Sequence, residues 1–183
     1  MADRALTVVV CAAPLAERAP EFAAELADAG WTVSVVATPA ASGWVDHEGV
    51  ADVTGAPAAT DYRSPDEPKR GPRPDVVVVA PATFNTLNKL AAGISDTYAL
   101  GVLNEALAGG TPIVAVPVVN ERLWGHPAWP STMARLTEAG VTLLDIHTGE
   151  PPSRAVRSGT GADFAAAFDP AWLVSAVGRL LGN

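Results

Sequence analysis

Apolar residues along the chain fall into short β-branched runs separated by stretches with helical spacing. The runs at 6–11, 31–37, 75–80, 112–116 and 141–144 each have the length of a strand, and nearly unbroken apolar character suits strands covered on both faces. Between the first two, Phe22 and Leu26 lie four apart, which predicts a helix reaching about Ala29 and stopped by Gly30. Thr38-Pro39-Ala40-Ala41 leads into a short helix that fades near Gly43. Ala- and Leu-rich spacing predicts further helices over 96–108, 127–139 and 170–181, the last with Trp172, Val177 and Leu180 inward. Strands alternating with helices through short connections predict an α/β fold: a doubly wound parallel sheet with right-handed crossovers, Rossmann-like or flavodoxin-like, in three layers. Two stretches carry little pattern. Residues 46–74 read as a long excursion with at most one short strand near 58–62, and 151–168 read as a mobile loop.

The polar positions that interrupt this pattern are concentrated after the third strand. Pro81 is expected to end the run at 75–80, and Thr83, Asn85, Thr86 and Asn88 then place hydroxyls and amides at the start of a helix. In an open parallel sheet ligands bind outside the carboxyl ends of the strands, and the free N–H groups of a helix start favour anionic or carbonyl-bearing ligands. The plainer alternative is that Thr83 or Asn85 is only an N-cap. Four loops should open on that edge, at 12–16, 38–41, 81–86 and 117–120. The first contains neither G-x-G-x-x-G nor G-x-x-x-x-G-K-[ST], which removes the main support for a dinucleotide or a triphosphate. Its small residues still allow a phosphate to approach a helix start, although Pro14 removes one donor.

Composition narrows the partners. The 183 residues read as a single domain over 1–183, and the formal net charge of −8 argues against nucleic acid and anionic membrane. Arg63, Lys69, Arg70 and Arg73 cluster, but among prolines they read as a solvated loop. Cys11, the only cysteine, reads as a buried packing residue, and His47, His126 and His147 lack metal-site spacing, so no metal is expected. No signal-peptide pattern and no span of membrane length is seen, so a cytoplasmic protein is expected.

The tract Ala80-Pro81-Ala82-Thr83-Phe84-Asn85-Thr86-Leu87-Asn88-Lys89-Leu90-Ala91-Ala92-Gly93-Ile94-Ser95-Asp96 closely resembles the PASANT segment of the homo-oligomeric flavin-containing cysteine decarboxylases. That family includes phosphopantothenoylcysteine decarboxylase and the lantibiotic peptidyl-cysteine decarboxylases. Pro117-Val118-Val119-Asn120-Glu121-Arg122-Leu123-Trp124-Gly125-His126-Pro127 resembles its second signature, P-x-M-N-x-x-M-W-x-N-P, in the expected order and separation. The resemblance implies FMN held at a subunit interface of a homotrimer or trimer-based assembly. By position, Ala12, Ala13 and Thr38 would line the phosphate end. Thr83, Phe84 and Asn85 would follow the ribityl chain and ring, and Pro81, Ala82, Ser95 and Asp96 belong to the same tract. Asn120 would contact the substrate carboxylate.

The departures fall on the chemistry. Where the decarboxylases keep a catalytic histidine ahead of the PASANT strand this chain has Glu67, the methionine of the second signature is replaced around Val118 and Val119, and the substrate-clamp cysteine has no counterpart. His126 stands where the signature has its later asparagine; it could supply a base, or be only a helix-start residue. The expected function is an FMN flavoprotein acting on an unidentified small molecule or peptide, with cysteine decarboxylation as the specific version. The alternatives are a noncatalytic flavin-binding or regulatory subunit and, disfavoured for want of a basic cluster to hold a prenyl phosphate, a flavin prenyltransferase.

Overall fold

The computed structural model of the chain describes residues 4–67 and 72–182. Its centre is a five-stranded parallel sheet in the order β2-β1-β3-β4-β5, formed by β1 (Ala5–Val10), β2 (Thr32–Ala37), β3 (Val76–Ala82), β4 (Ile113–Pro117) and β5 (Thr142–Leu143). The helices are α1 (Ala19–Asp28), α2 (His47–Thr54), α3 (Phe84–Ala91), α4 (Tyr98–Ala108), α5 (Glu121–Trp124), α6 (Trp129–Glu138), α7 (Gly161–Ala167) and α8 (Ala171–Leu180). Short 3₁₀ turns at Pro14–Arg18 and Pro39–Ala41 open the connections after β1 and β2.

Alternation along the central strands explains the layering, because successive side chains leave a strand on opposite faces. Leu6, Val8 and Val10 of β1, with Val76, Val78 and Ala80 of β3, pack with Phe22, Ala23 and Leu26 of α1 and with Leu173, Ala176 and Val177 of α8. Val9, Cys11, Val77 and Val79 pack on the other face with Leu87 and Leu90 of α3, Leu100 and Leu103 of α4, and Trp129 and Leu136 of α6. Both central strands are buried along their whole length, which is why they read as continuous apolar runs rather than as alternation.

Several expectations need correction. Pro81 does not end its strand: β3 continues through Ala82, where the register against β4 shifts between Val79 and Ala82, and proline is tolerated at such an irregularity because one ladder donor is already missing there. The excursion at 46–74 contains α2, whose cap is Asp46 accepting the Gly49 N–H at 3.0 Å. A Cβ on Gly49 would stand 3.0 Å from Pro20 Cγ, so glycine lets α2 settle against the start of α1. Beyond α2, Ala59 makes an isolated bridge to Val36, and the Tyr62 ring meets Tyr98 of α4 edge-on at 5.2 Å. The segment 151–168 holds α7, and α5 was not anticipated at all. In α8 the buried residues are Leu173, Ala176 and Val177, with Trp172 and Leu180 only partly buried. Of the basic cluster, Arg63 folds back onto the carbonyls of Ser64, Pro65 and Glu67, Arg73 is exposed, and Lys69 and Arg70 lie outside the described residues. Among the described residues no helix is long and apolar enough to cross a membrane.

Candidate functional site

The carboxyl ends of four strands are stitched at one level by single backbone hydrogen bonds. Thr38 donates to the Val10 carbonyl at 2.9 Å, Cys11 to Pro81 at 3.1 Å and Val118 to Ala82 at 2.8 Å. From that level the chain after β1 turns to the α1 face and the chain after β3 to the α3 face. The switch in strand order therefore leaves a crevice between the loop at 11–14 and the loop at 83–85.

One wall of the crevice is small and rich in donors. Ala12 is half-buried and Ala13 buried; among the described residues neither backbone N–H has a protein acceptor, and the 3₁₀ turn they precede has no side-chain cap. Thr38 is 8% exposed and its hydroxyl is likewise without a partner there. Pro81 and Ala82 lie under this wall as buried strand residues whose carbonyls are taken by the bonds above.

The other wall begins at α3, where the polar residues divide by task. Thr83 is the cap, accepting the Thr86 N–H at 3.5 Å and donating to the Thr86 hydroxyl at 3.2 Å. Thr86 accepts in turn from the Cys11 thiol at 3.3 Å, which places a buried polar chain beneath the crevice. Asn88 holds α3 to α6: its amide donates to Phe84 O at 2.7 Å, and its Oδ1 accepts from the Thr132 hydroxyl at 2.6 Å. Asn85 alone is exposed and bonded to nothing described, so the cap alternative is right for Thr83 and not for Asn85. Phe84 stacks on Trp129 at 5.2 Å and meets His126 edge-to-face at 5.5 Å, while Trp124 also packs on Trp129, tilted, at 5.3 Å. Beside them, α3 and α6 border an open surface groove of about 390 Å³, with Phe84 and Asn85 at its lip and Lys89, Ile94 and Arg135 farther along.

After β4, Asn120 caps α5 by accepting the N–H groups of Arg122 and Leu123, both at 3.1 Å. His126 follows one turn later, exposed, with its Nδ1 accepting the Ala128 N–H at 3.1 Å. The segment expected to be a patternless loop then crosses the rim. Val156 bridges to Asn120, and a Cβ on Gly161 would come within 2.6 Å of Pro14 Cγ, so the stretch between them spans from the end of β4 to the loop after β1. The Arg18 guanidinium holds the end of α7, the helix this strap runs into, by donating to the carbonyls of Ala165 and Phe168 at 2.6 Å each.

Ala12, Ala13, Thr38, Thr83, Phe84, Asn85, Asn120 and His126 thus gather along one sheet edge. Ser95 and Asp96 do not join them within one chain. They lie beyond the far end of α3, whose eight residues span about 12 Å, and Asp96 pairs there with Lys89. Glu67 is exposed and its carboxylate accepts the Ser64 N–H at 3.0 Å, closing a local turn. His47 on α2 bonds to the Ser42 carbonyl at 3.1 Å, and the described residues contain no cluster able to hold a metal. Sequence reading missed Trp129 and the strap, since neither carries a local polar motif.

Burial pushes the Cys11 thiol above its usual range, against smaller opposing effects of its bonds to Thr86 and Thr83. The folded chain therefore keeps a proton that the unfolded chain loses above about pH 8.5, so Cys11 lowers stability as pH rises past that point, by up to about 1.4 kcal/mol per unit. Urea unfolding at pH 8 and pH 9.5 should show this loss in the wild type and a smaller one in Cys11→Ala; equal slopes would contradict it.

The sequence matches the family profile described as Flavoprotein over residues 1–170. It is 32% identical over 129 residues to a coenzyme A biosynthesis bifunctional protein CoaBC of Mycobacterium tuberculosis, covering 68% of this chain and 30% of that protein. The homologous protein of Mycolicibacterium smegmatis is 28% identical over 152 residues, covering 81% and 36%. The chain thus matches about a third of the length of these relatives. Among solved structures, a PPC decarboxylase variant complexed with pantothenoylaminoethenethiol superposes with a TM-score of 0.73 at 18% identity, covering 99% of this chain and 100% of that one. The FMN-dependent cysteine decarboxylase SpaF gives 0.66 at 26% identity, covering 96% and 98%.

Proposed function

Because this chain belongs to the flavoprotein family, we propose that it binds FMN in the crevice between β1 and β3 and acts on a small molecule or peptide held against the loop after β4. The observation that carries this reading is the donor-rich, small-residue wall of Ala12, Ala13 and Thr38 on the same sheet edge as the loop that carries Phe84. Unpaired N–H groups and a free hydroxyl beside residues with no bulk suit a phosphate. An exposed amide at Asn85 and a half-buried ring at Phe84 suit a ribityl chain and a flat heterocycle. When bound, FMN supplies two-electron oxidation, as of a cysteine thiol before decarboxylation. The chain's own tasks are to orient the ring through Phe84, hold a substrate through Asn120, and limit water under the strap of 156–161.

A proton acceptor is the missing part. Glu67 is engaged in a turn of its own, which favours as the second reading a flavin-binding subunit without turnover. The groove between α3 and α6, with Asn85 at its lip, is the face on which a second copy would complete the flavin site, in keeping with a homotrimer.

Purified protein titrated with FMN should quench flavin fluorescence saturably, and absence of binding would end both readings. Asn85→Asp should weaken FMN about tenfold, or 1.4 kcal/mol, by opposing its negative charge; unchanged affinity would remove Asn85 from the site. Mass spectrometry of cysteine-terminated peptides incubated with the loaded protein then separates the two readings, since loss of carbon dioxide supports the enzyme and intact peptide the subunit.

A further inference from the structure

Arg18 ends the 3₁₀ turn Pro14–Arg18, ahead of whose start Ala12 and Ala13 present their unpaired N–H groups. A cation in the same short segment as the proposed phosphate wall invites the view that it holds the anion. Its donors are committed elsewhere. Nη1 donates to the carbonyls of Ala165 and Phe168 at 2.6 Å each, while Nε and Nη2 donate to Glu21 Oε2 at 2.9 and 2.6 Å. These bonds take four of the five N–H groups of the guanidinium, and the Glu21 carboxylate offsets its charge. A 3₁₀ turn of five residues is about 10 Å long, so Arg18 stands at the end of the turn away from the crevice.

What the guanidinium does hold is the end of α7. Ala165 lies in the last turn of that helix and Phe168 is its cap, where carbonyls lack partners within the helix, and Arg18 supplies the donors. The Phe168 ring adds an apolar anchor, edge-on to Phe22 of α1 at 5.6 Å. The start of α7 is fixed at the opposite end of the turn, since a Cβ on Gly161 would come within 2.6 Å of Pro14 Cγ. Helix α7 therefore runs beside the turn, start against start and end against end. The residue next to Pro14 is Ala13, so whatever sets α7 against the turn also sets the wall of free N–H groups.

We propose that Arg18 is a positioning residue: it locks α7 along the turn after β1 and so holds the N–H groups of Ala12 and Ala13 in place for a phosphate, without touching that phosphate itself. The role rests on the reading of this wall as the phosphate end of a flavin site. It assigns Gly161 a part in the same device, because only a residue without a side chain lets α7 close on Pro14.

Comparison of FMN with riboflavin, which lacks the phosphate, isolates the role from general stability. Arg18→Met keeps the apolar stem and should lose about tenfold in FMN affinity, while riboflavin affinity stays within about twofold. Arg18→Lys keeps the charge but not the planar fork and should lose as much as Arg18→Met. Gly161→Ala, with Arg18 intact, should lower the same FMN-to-riboflavin ratio. Glu21→Gln, which leaves both carbonyl bonds, should keep the ratio within about threefold. Hydrogen exchange at the Phe164 and Phe168 amides, measured without flavin, should be at least about tenfold faster in Arg18→Met than in wild type.

Full FMN affinity in Arg18→Lys, or tighter FMN binding in Glu21→Gln, would make Arg18 a direct anion ligand and overturn the proposal. Equal losses for both flavins, or unchanged exchange in α7, would overturn it as well. If Arg18→Met does not fold, Gly161→Ala carries the comparison on the same criteria. A wild type that binds neither flavin would refute the flavin reading separately. Titration with inorganic phosphate, followed at the Ala12 and Ala13 amide resonances, then decides the role: weaker saturation in Arg18→Met supports it and equal saturation refutes it.

Discussion

Ala12→Asp is expected to abolish measurable FMN binding while leaving the fold intact. Ala12 is half-buried at the mouth of the crevice, and among the described residues neither its backbone N–H nor that of Ala13 has a protein acceptor. A carboxylate introduced there would stand beside the position proposed for the phosphate. Two like unit charges about 4 Å apart repel by about 4 kcal/mol at an effective dielectric of 20, and a phosphate carries more than one charge. Even after solvent screening, a loss of at least about a hundredfold should follow, read by fluorescence titration against circular dichroism to confirm folding. Ala12→Ser, uncharged and slightly larger, should remain within about threefold. If Ala12→Asp binds FMN as well as wild type does, the phosphate lies elsewhere on the sheet edge. Loss of fold in Ala12→Asp would shift the comparison to Thr38→Val, which removes one hydroxyl from the same wall and should cost about tenfold.

The sequence is most transparent where burial is most uniform. The strands at the sheet centre are apolar on both faces, so their existence, their parallel arrangement and the level at which their loops open could all be read without structure. Pro81 misled because the rule that proline ends a central strand assumes a regular ladder, whereas the register shift after Val79 supplies an irregular one. Helix α2 was invisible for a different reason. Val50 is its one buried residue, so a helix fixed by an Asp46 cap and by contact with α1 carries almost no apolar period.

Within the site, the residue types were legible but their assignments were not. Thr83, Thr86 and Asn88 share one polar cluster in sequence, yet three-dimensional partners make them a cap, a floor and a strut, and release only Asn85. Ser95 and Asp96 continue the same resembling tract, but a helix length separates them from the crevice. The strap could not be read from its sequence because its order comes from tertiary contacts at Val156, Gly161 and Arg18, none of which leaves a periodic trace.

Trp129 is the position at which stability and the proposed site meet, and Trp129→Ala should cost about 3–5 kcal/mol. The indole is 2% exposed and packs against both Phe84 and Trp124, so truncation empties a volume that both rings contact. Urea unfolding should register that loss, and FMN affinity should fall with it because Phe84 would lose its backing. Trp129→Phe isolates a second property of the side chain. The Nε1–H of Trp129 is buried without an acceptor, a burden of about 1–3 kcal/mol that phenylalanine does not carry. That relief opposes the loss of the second ring's contacts, so Trp129→Phe should lie within about 1 kcal/mol of wild type and retain most FMN affinity. A cost for Trp129→Phe as large as that for Trp129→Ala would show that the full indole shape holds Phe84 in place. A selective loss of FMN affinity, with stability kept, would instead identify the indole N–H as a donor that acquires its acceptor when the site is filled.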